Sequence, residues 1–193
     1  MELKQQIIEA AGQLFATKGL KFTLDDICEK LHISKKTIYV FFSCKEDLLL
    51  EMTDAAFESI YQRKRNIMNE DLPFFEKLKK VMIVLPDEMV NTDFRRLEGI
   101  RERYPKVYEK VRHYLKAGWE PVIELLDEGV RNHCLRKVEL PILQTMVSSS
   151  ISSFINDGSL EENGINYTDA LDSMVNIIID GIKENDDYDS FKQ

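Results

Sequence analysis

The sequence predicts an all-α fold, and three observations carry that reading. Only 8 glycines and 5 prolines interrupt 193 residues, which leaves long stretches free for helix. Apolar residues recur at three- and four-residue spacings in one segment after another. No stretch alternates apolar and polar residues over strand lengths. A hydrophobic content of 44% is enough to fill a core in a chain of this size and excludes a disordered chain.

The first helix follows Leu3, Ile7, Ile8, Ala11, Leu14 and Phe15, and Gly19 after Lys18 marks its stop with a cation in the last turn. Thr23 with Asp26 three residues on is a capping-box pattern. It opens a second helix to about residue 31, with Leu24, Ile27, Cys28 and Leu31 inward. The link His32-Ile33-Ser34 is short, and Ser34 is a good N-cap for a third helix over 35–42. Two short helices so joined form a helix-turn-helix. Ser43 and Glu46 offer another capping box, opening a fourth helix that runs to about residue 69.

Pro73 suits the first turn of a helix through Phe75, Leu78, Val81, Met82 and Leu85. Residues 88–104 continue helical. Pro105 opens a further helix through Val107, Val111, Leu115, Trp119, Leu126 and Val130, which Pro121 kinks or interrupts. Residues 139–156 and 166–183 form two more apolar helices, separated by a polar loop with glycines at 158 and 164. The domain boundaries that follow are 1–50 for the helix-turn-helix unit, 45–69 for a connecting helix, 70–184 for a larger helical domain and 185–193 for a frayed acidic tail.

Net charge is −8, yet residues 1–50 hold seven lysines and seven acids, so the excess acid lies in the remainder. A neutral unit on an acidic body orients toward a polyanion, because only the body is repelled. Lys35, Lys36 and Lys45 begin helices, where the positive end of the helix dipole disfavours cations. An anion such as phosphate at those ends would reconcile the placement. Cys28, Cys44 and Cys134 lack CxxC spacing and read as reduced thiols. His133 and Cys134 are adjacent, so on a helix they point about 100° apart and do not share a metal. Neither metal nor cofactor is expected. Glu98, Glu102, Glu109, Glu120 and Glu124 lie on helices without Glu-x-x-His pairs, and no Ser/Cys–His motif or phosphate loop accompanies them, which argues against an enzyme. No run of about eighteen apolar residues occurs and no leader pattern opens the chain, so a cytoplasmic protein with no membrane partner is expected.

The segments IIEAAGQLFATKG (7–19) and TLDDICEKLHISKKTIYVFFSCKEDLL (23–49) resemble the TetR-type helix-turn-helix in residue type, order and spacing. The resemblance implies an N-terminal three-helix DNA-binding domain and a larger C-terminal helical regulatory and dimerisation domain. It implies a third helix lying in the major groove, with Lys35, Lys36, Thr37 and Val40 on its outer face. Thr23 and Tyr39 then touch the DNA backbone and Lys45 a phosphate, while Ile38 and Phe42 hold the helix inward. Lys36 can donate to guanine O6 or N7. Lys36 stands where the family often has a small residue, and Val40 and Phe41 where Tyr and His are frequent. His32 takes a turn position often held by Gly, which histidine tolerates better than most residues. Cys44 replaces a usual Ser or Asn, leaving a thiol near the DNA that reads more readily as inert than as a redox switch.

For the C-terminal part, the resemblance implies a homodimer whose last two helices pair across a two-fold axis, with Met146, Ile151, Phe154, Met174 and Ile178 at the interface. It also implies a small-molecule effector pocket among the middle helices. Phe75, Met82, Tyr104 and Trp119 are the candidate lining, chosen from a stretch that also holds Met89 and Phe94. The function implied is a repressor of an approximately palindromic double-stranded DNA operator, released by an unidentified effector. An activator or ligand-independent regulator of the same fold is the alternative, and a helical enzyme or a protein-interaction scaffold is a remote one.

Overall fold

The structure is a computed structural model that describes residues 2–84, 99–156 and 159–184. Helix α1 spans Leu3–Lys18, α2 Leu24–Leu31, α3 Lys35–Tyr39, α4 Lys45–Asn69 and α5 Phe74–Met82. They are followed by α6 Ile100–Arg103, α7 Pro105–Lys116, α8 Glu120–Arg131, α9 Leu140–Asn156, α10 Ser159–Glu162 and α11 Tyr167–Ile182. Among the described residues no strand forms, and Leu135 and Lys183 share one isolated bridge. The all-α expectation holds.

Local chemistry sets the first helix ends where the sequence put them. Gly19 closes α1 with φ +57°, a conformation glycine adopts without steric cost. Thr23 and Asp26 make both bonds of the capping box at the start of α2. His32 caps α2 in the left-handed region at φ 54°, ψ 41°, and Ser34 accepts the Thr37 N–H at the start of α3.

Other boundaries differ, each for a physical reason. The third helix ends at Tyr39, short of Phe42, because residues 40 and 41 turn the chain toward α4. The N-cap of α4 is Cys44, which makes no side-chain cap, so the Ser43–Glu46 box does not form. Asp47 instead accepts the Ser43 N–H at 3.1 Å. Helix α5 stops at Met82, before Leu85, and the expected helix over 88–104 falls on residues outside the described ones up to 98. Of its described residues Ile100–Arg103 are helical, and Tyr104 leaves the helix because Pro105 disfavours helical backbone there. The segment expected helical from Pro105 to Val130, with Pro121 kinking or interrupting it, is two helices. The break lies at Gly118, with φ +68°, and Pro121 sits in the first turn of α8, where its missing N–H costs nothing.

Two apolar clusters organise the fold. The first joins α1, α2, α3 and the start of α4, with Phe22, Ile27, Ile38, Phe42 and Leu48 almost fully buried. It also takes in Ile100 and Val107 from beyond residue 50. The second joins α5, α8, α9 and α11 around Leu78, Val122, Leu125 and Val175. Helix α4 links them. Its Asp54 receives the Lys110 ammonium and the Tyr114 hydroxyl from α7, and Phe57 stacks on Tyr114 at 4.5 Å. Farther along, the Lys64 ammonium donates to the Gly118 carbonyl at 3.2 Å, and burial pushes its pKa down to about 8.

At the end of α8 the chain folds back so closely that a Cβ on Gly129 would lie 2.5 Å from Leu135 Cδ1 and 2.8 Å from Phe74 Cζ. Gly129→Ala is therefore expected to lower stability by about 1–3 kcal/mol through overpacking. A urea midpoint equal to that of the unsubstituted protein would show that Leu135 and Phe74 yield freely.

Candidate nucleic-acid interface and cavity

Helix α3 has only five residues, too few to persist alone, so tertiary anchoring must hold it. Ile38 is fully buried against the first cluster, and burying such a side chain is worth about 1.5–3 kcal/mol. Phe42 adds a second anchor just past the helix. On the opposite face Lys36, Tyr39 and Val40 follow i, i+3, i+4 spacing. Tyr39 is 53% and Val40 73% exposed, far more than core packing would leave. Among the described residues the Lys36 ammonium has no hydrogen-bonding or ion-pair partner.

The remaining candidates are engaged within the protein. Lys35 pairs with Asp25 at 2.8 Å, and that bond raises its pKa. Both groups are largely exposed, so the pair opens readily to a competing anion. The Thr37 hydroxyl lies 2.9 Å from Ser34 Oγ. Thr23 spends its hydroxyl on the Asp26 cap.

Lys45 departs most from expectation. Its ammonium is turned inward, donating to the Leu20 carbonyl at 2.7 Å and to the Phe22 carbonyl, over the Phe22 ring at 4.2 Å. Burial lowers its pKa, and Arg103 adds to the effect. The lysine that looked misplaced at the start of α4 thus caps the carbonyl end of the turn after α1. The sequence could not show this, because the acceptors are backbone atoms of another element.

A cavity of about 530 Å³ lies between the two clusters. Its walls come from α1, α4, the end of α5, Ile100, and the apolar face of α7 formed by Val107, Val111 and Leu115, with Ile151 and Leu171 farther in. Of the four expected lining residues only Met82 reaches it. Phe75 packs edge-on against Phe74 beneath the Lys183 ammonium. Tyr104 packs against the first cluster. Trp119 is buried in the second, its indole N–H bound to the Leu115 carbonyl at 3.1 Å. Met89 and Phe94 lie outside the described residues. Sequence reasoning missed the α4 side of the wall, Met52, Ala56 and Ile60, whose spacing follows one helix face.

The exposed apolar surface of the last helices is carried by Ile142, Met146 and Ile177, at 59%, 54% and 73% exposure. Of the five residues expected at an interface, only Met146 belongs to it. Ile178 is buried in the protomer's own core, Met174 packs against that core, Ile151 lines the cavity, and Phe154 meets the Tyr167 ring. The two apolar helices turn those faces inward because α5 and α8 claim them. Among the described residues no helix is long and apolar enough to cross a membrane.

Asp26 provides a direct check on this geometry. Its bonds from the Lys18 ammonium and the Thr23 N–H hold its pKa down at about 2, against an ordinary 3.8. A depressed carboxylate pKa contributes stability that is fully present above pH 3.8 and is lost as pH falls through about 2. Carboxylate-resolved NMR titration is expected to place Asp26 near 2 and to return it toward 3.8 in Lys18→Ala. An ordinary midpoint in the unsubstituted protein would refute the cap.

Residues 7–52 match the family described as "Bacterial regulatory proteins, tetR family". The chain is 24% identical over 189 residues to the uncharacterized HTH-type transcriptional regulator YvaF of Bacillus subtilis, covering 97% of this chain and 100% of that one. It is 20% identical over 183 residues to the fatty acid metabolism regulator protein of the same organism, covering 92% and 94%. Among solved structures it is similar to FadR from Bacillus subtilis in complex with stearoyl-CoA. There the TM-score is 0.63 at 18% identity, over 92% of this chain and 98% of that one. A transcriptional regulator from Cytophaga hutchinsonii gives a TM-score of 0.70 at 16% identity, over 93% and 97%.

Proposed function

We propose that the chain is a TetR-family transcriptional regulator, a homodimeric repressor whose hold on an operator is released by an effector with a long apolar chain. The observation that carries the DNA reading is the outer face of α3. Lys36, Tyr39 and Val40 stand exposed there on a helix anchored from behind by Ile38. A cation and a phenol serve base edges and phosphates, while Val40 offers an apolar contact to a thymine methyl. Thr23 and Thr37 contribute by holding α2 and α3 in register. Lys35 reaches phosphate by leaving Asp25, and Lys45 fixes the entry of α4.

Residues 1–50 form the DNA-binding unit, 45–69 the connector and 70–184 the effector and dimer domain, with Ile100 and Val107 tying the last to the first. The effector reading is supported by the size and apolar walls of the cavity, which suit a small molecule. The stearoyl-CoA held by the Bacillus subtilis FadR favours a long-chain acyl thioester. Such a regulator works where the DNA is, in the cytoplasm.

With the operator sought first in the DNA flanking the protein's own coding region, Lys36→Ala is expected to weaken operator binding by about 1–3 kcal/mol and to spare random duplex. Equal losses on both duplexes would move Lys36 to a phosphate. An unchanged operator affinity would remove it from the interface.

The dimer is proposed to close through Ile142, Met146 and Ile177, setting two α3 helices about 34–36 Å apart on successive major grooves. Sedimentation is expected to give a dimer for the unsubstituted protein and a folded monomer for Ile177→Glu. A monomer at micromolar concentration without the substitution would overturn the arrangement.

A further inference from the structure

The effector cavity has one wall that belongs to the DNA-reading unit itself. Gln5, Ile8, Glu9, Gly12 and Gln13 line it from α1. Gln5, Glu9 and Gln13 are exposed and form its polar rim, while Ile8 and Phe15, which also lines it, are buried and with Gly12 between them make an apolar stripe at i, i+4, i+7 spacing. The other face of α1, with Ile7, Ala11 and Leu14, packs into the helix-turn-helix core. Helix α1 thus separates the cavity from the helices that carry Lys36 and Tyr39.

Gly12 is the informative residue in that stripe. A glycine in a helix interior destabilises the helix relative to alanine. Gly12 is helical and is absent from the positive-φ positions, so its backbone does not call for glycine. What glycine provides there is a cavity wall without a side chain, at the middle of the stripe, and Ala56 on α4 lines the same cavity.

We propose that the apolar chain of the effector lies along this stripe and crosses Gly12, touching the DNA-reading unit directly instead of acting on it only through α4. This rests on the effector-site reading above and deepens it. A ligand shifts a conformational equilibrium only by its difference in affinity for the two states. A chain lying between α1 on one side and α7 on the other gains or loses contact whenever the two separate, so that difference arises at the contact itself. Ile8 and Phe15 transmit it, since each lines the cavity and is also buried in the first cluster.

The test is photolabelling of the full-length protein with a neutral long-chain alcohol carrying a mid-chain diazirine, followed by trypsin. Cleavage after Lys4 and Lys18 releases residues 5–18, and cleavage after Lys45 and Arg63 releases 46–63. Label is expected in both peptides, lost from both in Gly12→Leu and retained in Gly12→Ala. Label in 46–63 or in α7 with none in 5–18 would overturn the proposal, as would no label anywhere. Should Gly12→Leu not fold, the labelling map of the unsubstituted protein decides alone. Stearoyl-CoA is added as competitor. If it fails to displace label from 5–18, the acyl-thioester reading falls while the α1 wall stands.

Discussion

Where α4 crosses α7, the carboxylate of Asp54 receives the Lys110 ammonium and the Tyr114 hydroxyl together, and the Tyr114 ring stacks on Phe57. The ion pair is partly exposed and contributes little on its own. The stacked rings contribute about 0.5–1.5 kcal/mol beyond their buried area, so the aromatic contact outweighs the charges. What the polar bonds add is register, because one carboxylate satisfied from two positions on α7 fixes how the helices slide. Everything else is placed from this crossing. The neighbouring face of α7 lines the cavity with Val107, Val111 and Leu115, and the near end of α4 enters the helix-turn-helix core through Leu48 and Leu49.

The crossing also explains why the two clusters are not independent bodies joined by a strut. Ile100 and Val107 belong to the first cluster although they follow the end of the connector at Asn69 by 31 and 38 residues. A tilt of α7 therefore reaches the DNA-reading unit by two routes, one along α4 and one through these side chains. The cavity sits between the routes, so its occupancy bears on both.

The helix-turn-helix was legible in the sequence because its determinants are local. Thr23 with Asp26, Ser34 and Gly19 act within a turn of where they stand, and a periodicity of three and four places the buried residues. The end of α3 and the cap of α4 were less legible: where Ser43 with Glu46 was expected, the N-cap falls one residue later at Cys44 and Asp47 accepts the Ser43 N–H. Long-range features were hidden. Which aromatics line a cavity depends on what each helix packs against, and Trp119 and Phe75 went to cores that no local pattern announces. Likewise, an apolar helix such as α11 has two apolar faces, and only the position of α5 decides that Ile178 is inward and Ile177 outward. The excess lysine at helix starts was a true anomaly with more than one cause: Lys45 answers backbone carbonyls, Lys35 an aspartate, and Lys36 is left to the outside.

The Lys45 bonds have a consequence for how this protein can change over generations. Both acceptors are main-chain oxygens, of Leu20 and Phe22, and no substitution at those positions removes an oxygen. Drift in residues 20–22 is thus constrained by the Phe22 ring and by the core, but not by the polar joint. Lys45 bears that constraint: a residue without a side-chain donor there would leave both carbonyls without this partner. The asymmetry predicts a lineage in which the turn after α1 varies and the first residue of α4 keeps a long side chain that ends in a hydrogen-bond donor.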